Sequence, residues 1–195
     1  MADDVKKLNS ILDKLTSPGK LEKGVKGSET DAKGNWAKVK NAKDLQALAE
    51  KQGTQRKIPP AVILGMMSRE SGFGLGQGMS KDGWGDRGNA YGVLQVDKRA
   101  HKPAGTDKGP LSDEHVNQAL DIFDGYRSDV KKAHKDWSEE EVLAGAICAY
   151  NANPKNVQTS PKKDWRALDK NGDAVDYSAD VWAQAVYYKN TLWPK

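Results

Sequence analysis

The sequence has few of the residues that support redox or membrane functions. Its 195 residues include one cysteine, Cys148, so no disulfide can form within the chain. Cys148 lies between Ile147 and Ala149, which favours a small buried apolar side chain over a reactive thiol. No apolar run approaches the 18 residues of a transmembrane helix, and the mean hydropathy is -0.79. Packing of an apolar core must therefore stabilise the fold, which is feasible at this length.

Histidines and clustered charge are also scarce. The three histidines, His101, His115 and His134, have no metal-ligand spacing, so we expect no metal and no cofactor. His115 and His134 fall on predicted helix surfaces, where we expect them to be solvated. The net charge of +4 is spread along the chain without a nucleic-acid motif, which predicts neither a nucleic-acid nor a membrane partner. An anionic polymer such as a cell wall fits this charge, and a generic solvated surface fits it equally well.

Helical periodicity dominates the chain. It predicts helices over residues 2–15, 42–55, 60–71, 112–130, 138–150 and 177–188, with a capping box at Ser138 and Glu141. Residues 20–34 and 156–175 are predicted loops, and alternation over Tyr91 to Asp97 predicts one strand. The fold class is therefore mainly α (α+β), with a small β element between helices. We expect an N-terminal helix and loop extension over residues 1–40 and a main domain over residues 41–195.

Glu70 is the first candidate catalytic residue. Pro59-Pro60 predicts a helix start, and Ile63, Met66, Met67 and Glu70 then fall on one helical face. A carboxyl group on an apolar face is desolvated, which raises its pKa and favours a general acid. A structural glutamate held by an arginine or by backbone donors fits the same position.

Two aspartates follow in and after a glycine-rich stretch. Eight glycines lie between Gly72 and Gly92, and Asp86 lies among them, whereas Asp97 ends the predicted strand. Glycosidic bond cleavage uses one carboxylic acid to protonate the leaving oxygen and one carboxylate to activate water. An acid on the helix and bases on the adjacent loop would supply this chemistry. Aspartate in a glycine-rich turn also occurs for turn geometry alone.

Four separated motifs, in one order, resemble those of goose-type lysozymes. They are Ser68–Ser71, Gly83–Asn89, Gly92–Arg99 and Ala149–Ala152. The segments Asp176–Val181 and Tyr187–Lys189 are similar to the C-terminal helix of that family. The resemblance runs from about Ile58 to Tyr188, so it makes residues 41–195 a goose-type lysozyme-like catalytic domain.

The resemblance implies a lysozyme-like fold and hydrolysis of the β-1,4 bond between N-acetylmuramic acid and N-acetylglucosamine in peptidoglycan. Glu70 would be the general acid, and Asp97 and Asp86 would hold and activate the attacking water, with inversion. The resemblance further implies four substrate-binding residues: His101, Tyr150, Asn151 and Tyr177. We expect an antibacterial monomer acting on peptidoglycan or another N-acetylated polysaccharide. The substrate predicts an extracellular location, although residues 1–15 lack the apolar stretch of a secretory signal.

The sequence departs from the family pattern in two places near the predicted cleft. The segment between Glu70 and Gly83 is longer than usual, which would alter the rim of the cleft. Asn153, followed by Pro154, stands where a glycine is usual. The cysteine pairs of avian members are absent as well, so their disulfides do not transfer to this chain.

Two other functions are compatible with part of these motifs and residues. A lytic transglycosylase has related motifs, but its single glutamate needs no second carboxylate and its products carry 1,6-anhydro ends. A non-catalytic module would bind cell wall without releasing reducing sugar. Asp86 and Asp97 favour hydrolysis over both alternatives.

Overall fold

The computed structural model describes residues 2–16, 29–171 and 176–194. The α-helices in these ranges are α1 (Ala2–Asn9), α2 (Glu29–Trp36), α3 (Ala42–Arg56), α4 (Pro60–Ser71), α5 (Asp113–Ala133), α6 (Glu139–Ala152), α7 (Trp165–Asp169) and α8 (Tyr177–Leu192). Short 3-10 helices span Ser10–Asp13, Asp86–Gly88 and Pro154–Asn156. The strands are β1 (Trp84–Gly85), β2 (Ala90–Tyr91) and β3 (Val96–Asp97). The predicted mainly α fold with a small β element is confirmed.

Helix α4 is the centre of the core. It spans the predicted residues Pro60–Ser71, and its residues from Pro60 to Ser68 are all buried. α8 and α3 pack against it, while α5 packs against α6. A helix that is apolar all round is buried all round, so the predicted single apolar face was too narrow a description. Only the end of α4 reaches solvent, at Arg69 and Glu70.

Gly65 allows α8 to approach α4 closely. A Cβ atom at Gly65 would lie 2.8 Å from the carbonyl oxygen of Val181 and 3.2 Å from the amide nitrogen of Ala185. Both distances are shorter than a methyl group tolerates without a shift of the neighbouring backbone. The glycine therefore lets the first turns of α8 lie beside the last turns of α4, where Glu70 is located.

The β element is a sheet of three short antiparallel strands in the order β1-β2-β3. Ala90 pairs with Asp97 and Tyr91 with Val96. The prediction of one strand from Tyr91 to Asp97 was therefore wrong, because the chain reverses between β2 and β3. Gly92, with φ +77°, and Gln95, with φ +47°, make that turn. Alternating apolar residues cannot distinguish one strand from a tight hairpin whose turn is itself buried.

His115 fixes the turn of this hairpin. Its ring is completely buried above Gly92, where a Cβ atom would lie 2.2 Å from Nε2. The amide of Leu94 donates a hydrogen bond to Nε2 over 3.2 Å, and burial lowers the pKa of His115 to about 4. The prediction that His115 is solvated was therefore wrong, because the turn between β2 and β3 packs against its ring. His134 is half-buried and stacks on Trp137.

Two predicted loops contain helices. α2 begins at Glu29 inside the predicted loop 20–34, and α7 lies inside the predicted loop 156–175. Residues 20–28 and 172–175 of these predicted loops lie outside the described ranges. Within the predicted N-terminal extension, Asn9 accepts a hydrogen bond from the amide of Ala61, and Ala32 accepts one from Tyr188. The domain boundary at residue 40 stays a prediction.

The described helices are too short or too polar to cross a membrane: in residues 2–16, 29–171 and 176–194, no helical segment combines the required length and apolarity. α5 is the longest of them, with 21 residues, and it carries charged residues in its first and last turns.

Candidate active site

An open polar cavity of about 390 Å³ lies at the C-terminal end of α4. Glu70 and Asp86 both line it, from α4 and from the turn after β1. Polar residues of α2, of the turn after it and of α8 also line it: Asp31, Asn35, Lys38, Asp180 and Gln184. Two predicted carboxylates therefore open onto one space, and this space is polar enough to accept a hydrated ligand.

Glu70 is half-buried in the cavity wall. The hydroxyl of Tyr177, near the start of α8, donates a hydrogen bond to Oε1 of Glu70. Burial raises the pKa of Glu70 to about 7, although the hydrogen bond from Tyr177 and the positive charge of Arg69 both lower it. The carboxyl group can therefore keep its proton close to neutral pH, as a general acid must.

Asp86 and Asp97 are joined by one guanidinium group. Nη2 of Arg99 lies 2.7 Å from Oδ2 of Asp97 and 3.3 Å from Oδ2 of Asp86. Nε and the backbone amide of Arg99 also donate to Oδ1 of Asp97, over 2.9 and 2.8 Å. Hydrogen bonding by Arg99 lowers the pKa of Asp97, so this carboxylate stays ionised while Glu70 is protonated. Asp97 itself is not among the described residues that line the cavity with Glu70.

The two predicted tyrosines lie on the helices around Glu70. Tyr177 is buried and contacts Glu70 directly, whereas the hydroxyl of Tyr150 donates to the carbonyl oxygen of Leu94 over 2.8 Å. Burial and the charge of Glu70 raise the pKa of both tyrosines well above the ordinary value. Both hydroxyls therefore remain protonated donors, and Tyr150 ties α6 to the β-hairpin.

Asn151 and His101 are close to these elements in sequence. Asn151 is half-buried on α6, directly after Tyr150. His101 is also half-buried, and its backbone amide donates to the carbonyl oxygen of Asp97 over 2.9 Å. Within the described part of the chain, neither residue lines the cavity that contains Glu70. Their predicted contact with substrate stays a prediction.

The long segment after Glu70 forms the rim of the cavity. Gly72 ends α4 with φ +55°, and Gly76, Gln77, Gly78 and Met79 then line the opening. The side chain of Leu75 is 54% exposed beside them. Residues 76–79 therefore lie at the edge of the cavity, whereas Phe73 is buried in the core, and the unusual length expected for this segment stays a prediction.

Asn153 has the backbone geometry that a glycine would adopt. Its φ and ψ are 71° and 143°, and its side chain accepts a hydrogen bond from the amide of Lys155 over 3.2 Å. This combination of positive φ and extended ψ lies outside the left-handed helical region and is adopted most easily by glycine. A glycine at this position would adopt the same conformation without the strain that a side chain brings.

The sequence did not reveal the ion pairs of Arg69. Nε of Arg69 lies 3.2 Å from Oδ2 of Asp180, and Nη2 lies 3.3 Å from Oδ1 of Asp176. The two aspartates are four residues apart on one face of α8, a spacing that could have indicated a shared cation. Arg99 carried no comparable signal, since its role depends on the turn that brings Asp86 beside Asp97.

Metal ligands are not clustered in the ranges that the structure describes: no group of three or more histidine, cysteine, aspartate or glutamate side chains there could hold an ion.

The fold is mainly helical α+β, and its open polar cavity has a half-buried acid in its wall and a bridged pair of aspartates beside it. Together these features define a lysozyme-like glycoside hydrolase. The family model of lysozyme g matches residues 13–191. The chain is 38% identical to lysozyme g of Casuarius casuarius over 166 residues, which are 85% of this chain and 82% of that protein. It is 34% identical to lysozyme g of Cyprinus carpio over 184 residues, with 91% and 94% covered. The corresponding values for lysozyme g of Gallus gallus are 37% over 166 residues, with 85% and 72% covered. The chain therefore belongs to the lysozyme g family.

Proposed function

We propose that this protein is a muramidase that hydrolyses the β-1,4 bond between N-acetylmuramic acid and N-acetylglucosamine in peptidoglycan. One observation carries the proposal: Glu70 and Asp86 line one cavity, and Arg99 joins Asp86 to Asp97. Burial raises the pKa of Glu70 to about 7, whereas Arg99 lowers the pKa of Asp97. A protonated acid and an ionised base at the same pH are the pair that glycosidic hydrolysis requires.

Glu70 is the general acid in this proposal. Its proton passes to the glycosidic oxygen as the bond to the anomeric carbon breaks, and its anion accepts a hydrogen bond from Tyr177. The hydroxyl of Tyr177 therefore stabilises the form of Glu70 that the reaction creates. Because Tyr177 keeps its own proton, it can serve in every turnover.

Asp86 and Asp97 position and activate the attacking water. Arg99 contacts both carboxylates, so their oxygens are held close together and directed by one cation. Water held between a carboxylate pair and the sugar attacks the face opposite to the leaving group, which inverts the anomeric configuration. His101, Tyr150, Asn151 and Tyr177 are the proposed substrate-binding residues, and the protein acts as a monomer.

The direct test is digestion of purified peptidoglycan with product analysis by NMR and mass spectrometry. We expect ordinary reducing ends whose first-formed anomer is inverted relative to the substrate. Products with 1,6-anhydro ends would identify a lytic transglycosylase instead. Binding to the wall without new chain ends would identify a non-catalytic module, and either result would contradict the proposal.

Two pairs of variants test the assigned residues. Glu70→Gln removes the acid at nearly constant volume, so we expect loss of at least about a thousandfold in turnover, within the range of acid catalysis combined with positioning. Glu139→Gln, an exposed change in the first turn of α6, is the matched control and should keep full activity. Asp97→Asn should also lower turnover, whereas Asp129→Asn on the surface of α5 should not. Comparable activity of Glu70→Gln and the parent would refute the assignment of the acid.

A further inference from the structure

A buried network of charges lies directly behind Glu70. Asp180 is completely buried, and its Oδ2 lies 3.2 Å from Nε of Arg69 in an ion pair and accepts a hydrogen bond from Nε2 of Gln184 over 3.0 Å. Oδ1 of Asp176 accepts a hydrogen bond from Nη2 of Arg69 over 3.3 Å. Separation of such a pair would leave an uncompensated buried charge. The free energy that this costs keeps Arg69 and Asp180 together.

The guanidinium group of Arg69 is also close to the hydrogen bond between Tyr177 and Glu70. The Cζ atom of Arg69 lies 5.8 Å from the centroid of the Tyr177 ring, and the hydroxyl of that ring donates to Glu70. Arg69 is also the residue directly before Glu70, and its charge lowers the pKa of Glu70. Among the ion pairs of the described residues, Arg69 bonds to the two aspartates of α8 and not to Glu70.

We propose that Asp180 is a positioning residue, which holds the Arg69 guanidinium against α8 and beside the Tyr177 ring so that the cation does not pair with Glu70. The proposal rests on the function proposed above, since it assigns Asp180 a role through the general acid. A cation at 4–6 Å from a carboxyl group stabilises the ionised form by one to three pKa units. Asp180 neutralises that cation, so Glu70 retains its proton at a higher pH.

Other titratable or charged groups also face Glu70 or its cavity, and they are constant in this comparison. They are Arg69 on α4, Tyr150 on α6, Asp176 and Tyr177 on α8, Asp86 after β1, and Asp31 and Lys38 on the α2 side. Asp180 differs from Asp31 and Asp86 because it is bonded to the cation that adjoins Glu70, and from Asp176, which bonds to the same cation, because Asp180 is completely buried.

The test is a titration of the Glu70 carboxyl carbon by NMR, with the signal assigned by its absence in Glu70→Gln. In Asp180→Asn we expect the pKa of Glu70 to fall by about one unit, the low end of the effect of a nearby cation. The alkaline limb of kcat/KM should move to lower pH by the same amount, an activity loss of about tenfold above pH 8. The NMR titration does not depend on turnover, so it remains informative even if the protein proves inactive on peptidoglycan.

Asp169→Asn is the matched control. Asp169 is equally buried and accepts hydrogen bonds from the amides of Ser178 and Ala179 in α8, but it does not contact Arg69. Its substitution should leave the pKa of Glu70 unchanged. If both variants lower the pKa equally, a general disturbance of α8 is responsible and the proposal is refuted.

Arg69→Gln provides an independent test if Asp180→Asn does not fold. Without the cation, the pKa of Glu70 should rise, and the alkaline limb should move to higher pH. In the double variant, Asp180→Asn should no longer lower the pKa, because its effect acts through Arg69. An unchanged or lowered pKa in Arg69→Gln, or the full lowering in the double variant, would overturn the proposal.

Discussion

Glu70→Gln should make the protein more stable while it removes activity. Burial holds the pKa of Glu70 at about 7, against 4.5 for the unperturbed group. Each pKa unit corresponds to about 1.4 kcal/mol, so ionisation of Glu70 in the folded state costs about 3 kcal/mol of stability. The amide of glutamine carries no charge and can still accept the hydrogen bond from Tyr177, so the variant avoids that cost.

The gain in the free energy of unfolding of Glu70→Gln increases as the pH rises. Below pH 4.5, Glu70 is protonated in both the folded and the unfolded chain, so the substitution has little effect on stability. Between pH 4.5 and 7 the unfolded chain loses this proton first, and the parent protein therefore loses stability as the pH rises. Above pH 7 both states are ionised, and the full difference of about 3 kcal/mol separates the variant from the parent.

Urea denaturation of both proteins at pH 4, 6 and 8 measures this difference. Glu141→Gln is the control with the opposite expectation. Burial raises the pKa of Glu141, but hydrogen bonds from Ser160 and Ser138 outweigh it and hold the pKa below the ordinary value. That variant should lose stability at pH 8 and approach the parent as the pH falls. A Glu70→Gln protein that is no more stable than the parent at pH 8 would refute the desolvation of Glu70.

Three further substitutions have expected outcomes. Tyr177→Phe removes a hydrogen bond that lowers the pKa of Glu70, so the alkaline limb of the pH–rate profile should move upward; a downward shift would contradict this. Gly65→Ala places a methyl group 2.8 Å from the carbonyl of Val181, which should destabilise the protein by about 1–3 kcal/mol in urea denaturation and lower its activity. Asn153→Ala should be less stable than Asn153→Gly by about 1–2 kcal/mol, because alanine tolerates a φ of 71° poorly; equal stabilities would show that the turn is unstrained.

Local signals in the sequence were sufficient to predict where α4, α5 and α6 begin. Proline at the first position predicted the start of α4 at Pro60, and the structure confirms it. Ser112 caps α5, and the capping box of Ser138 and Glu141 begins α6, as predicted. Each of these features depends on residues within four positions of one another, so the sequence contains all of the information needed.

Predictions failed where a distant residue decides the outcome. The apolar alternation before Asp97 proved to be a hairpin, because Gly92 and Gln95 turn the chain and His115 supports the turn from α5. No local pattern of α5 distinguishes a buried histidine that accepts a hydrogen bond from one on the surface. The error about His115 concerns the burial of its ring, and this burial depends on which elements pack together.

The sequence by itself determined that Glu70 ends an apolar helix, and this is enough to predict the direction of its pKa shift. Only the tertiary structure decided how the surrounding charges are arranged: Arg99 joins Asp86 to Asp97, and Arg69 bonds to Asp180 on α8. Burial of one carboxyl group follows from the residues beside it along the chain. The charge that faces it depends on distances between segments more than 100 residues apart, such as α4 and α8, and those distances exist only after the helices pack.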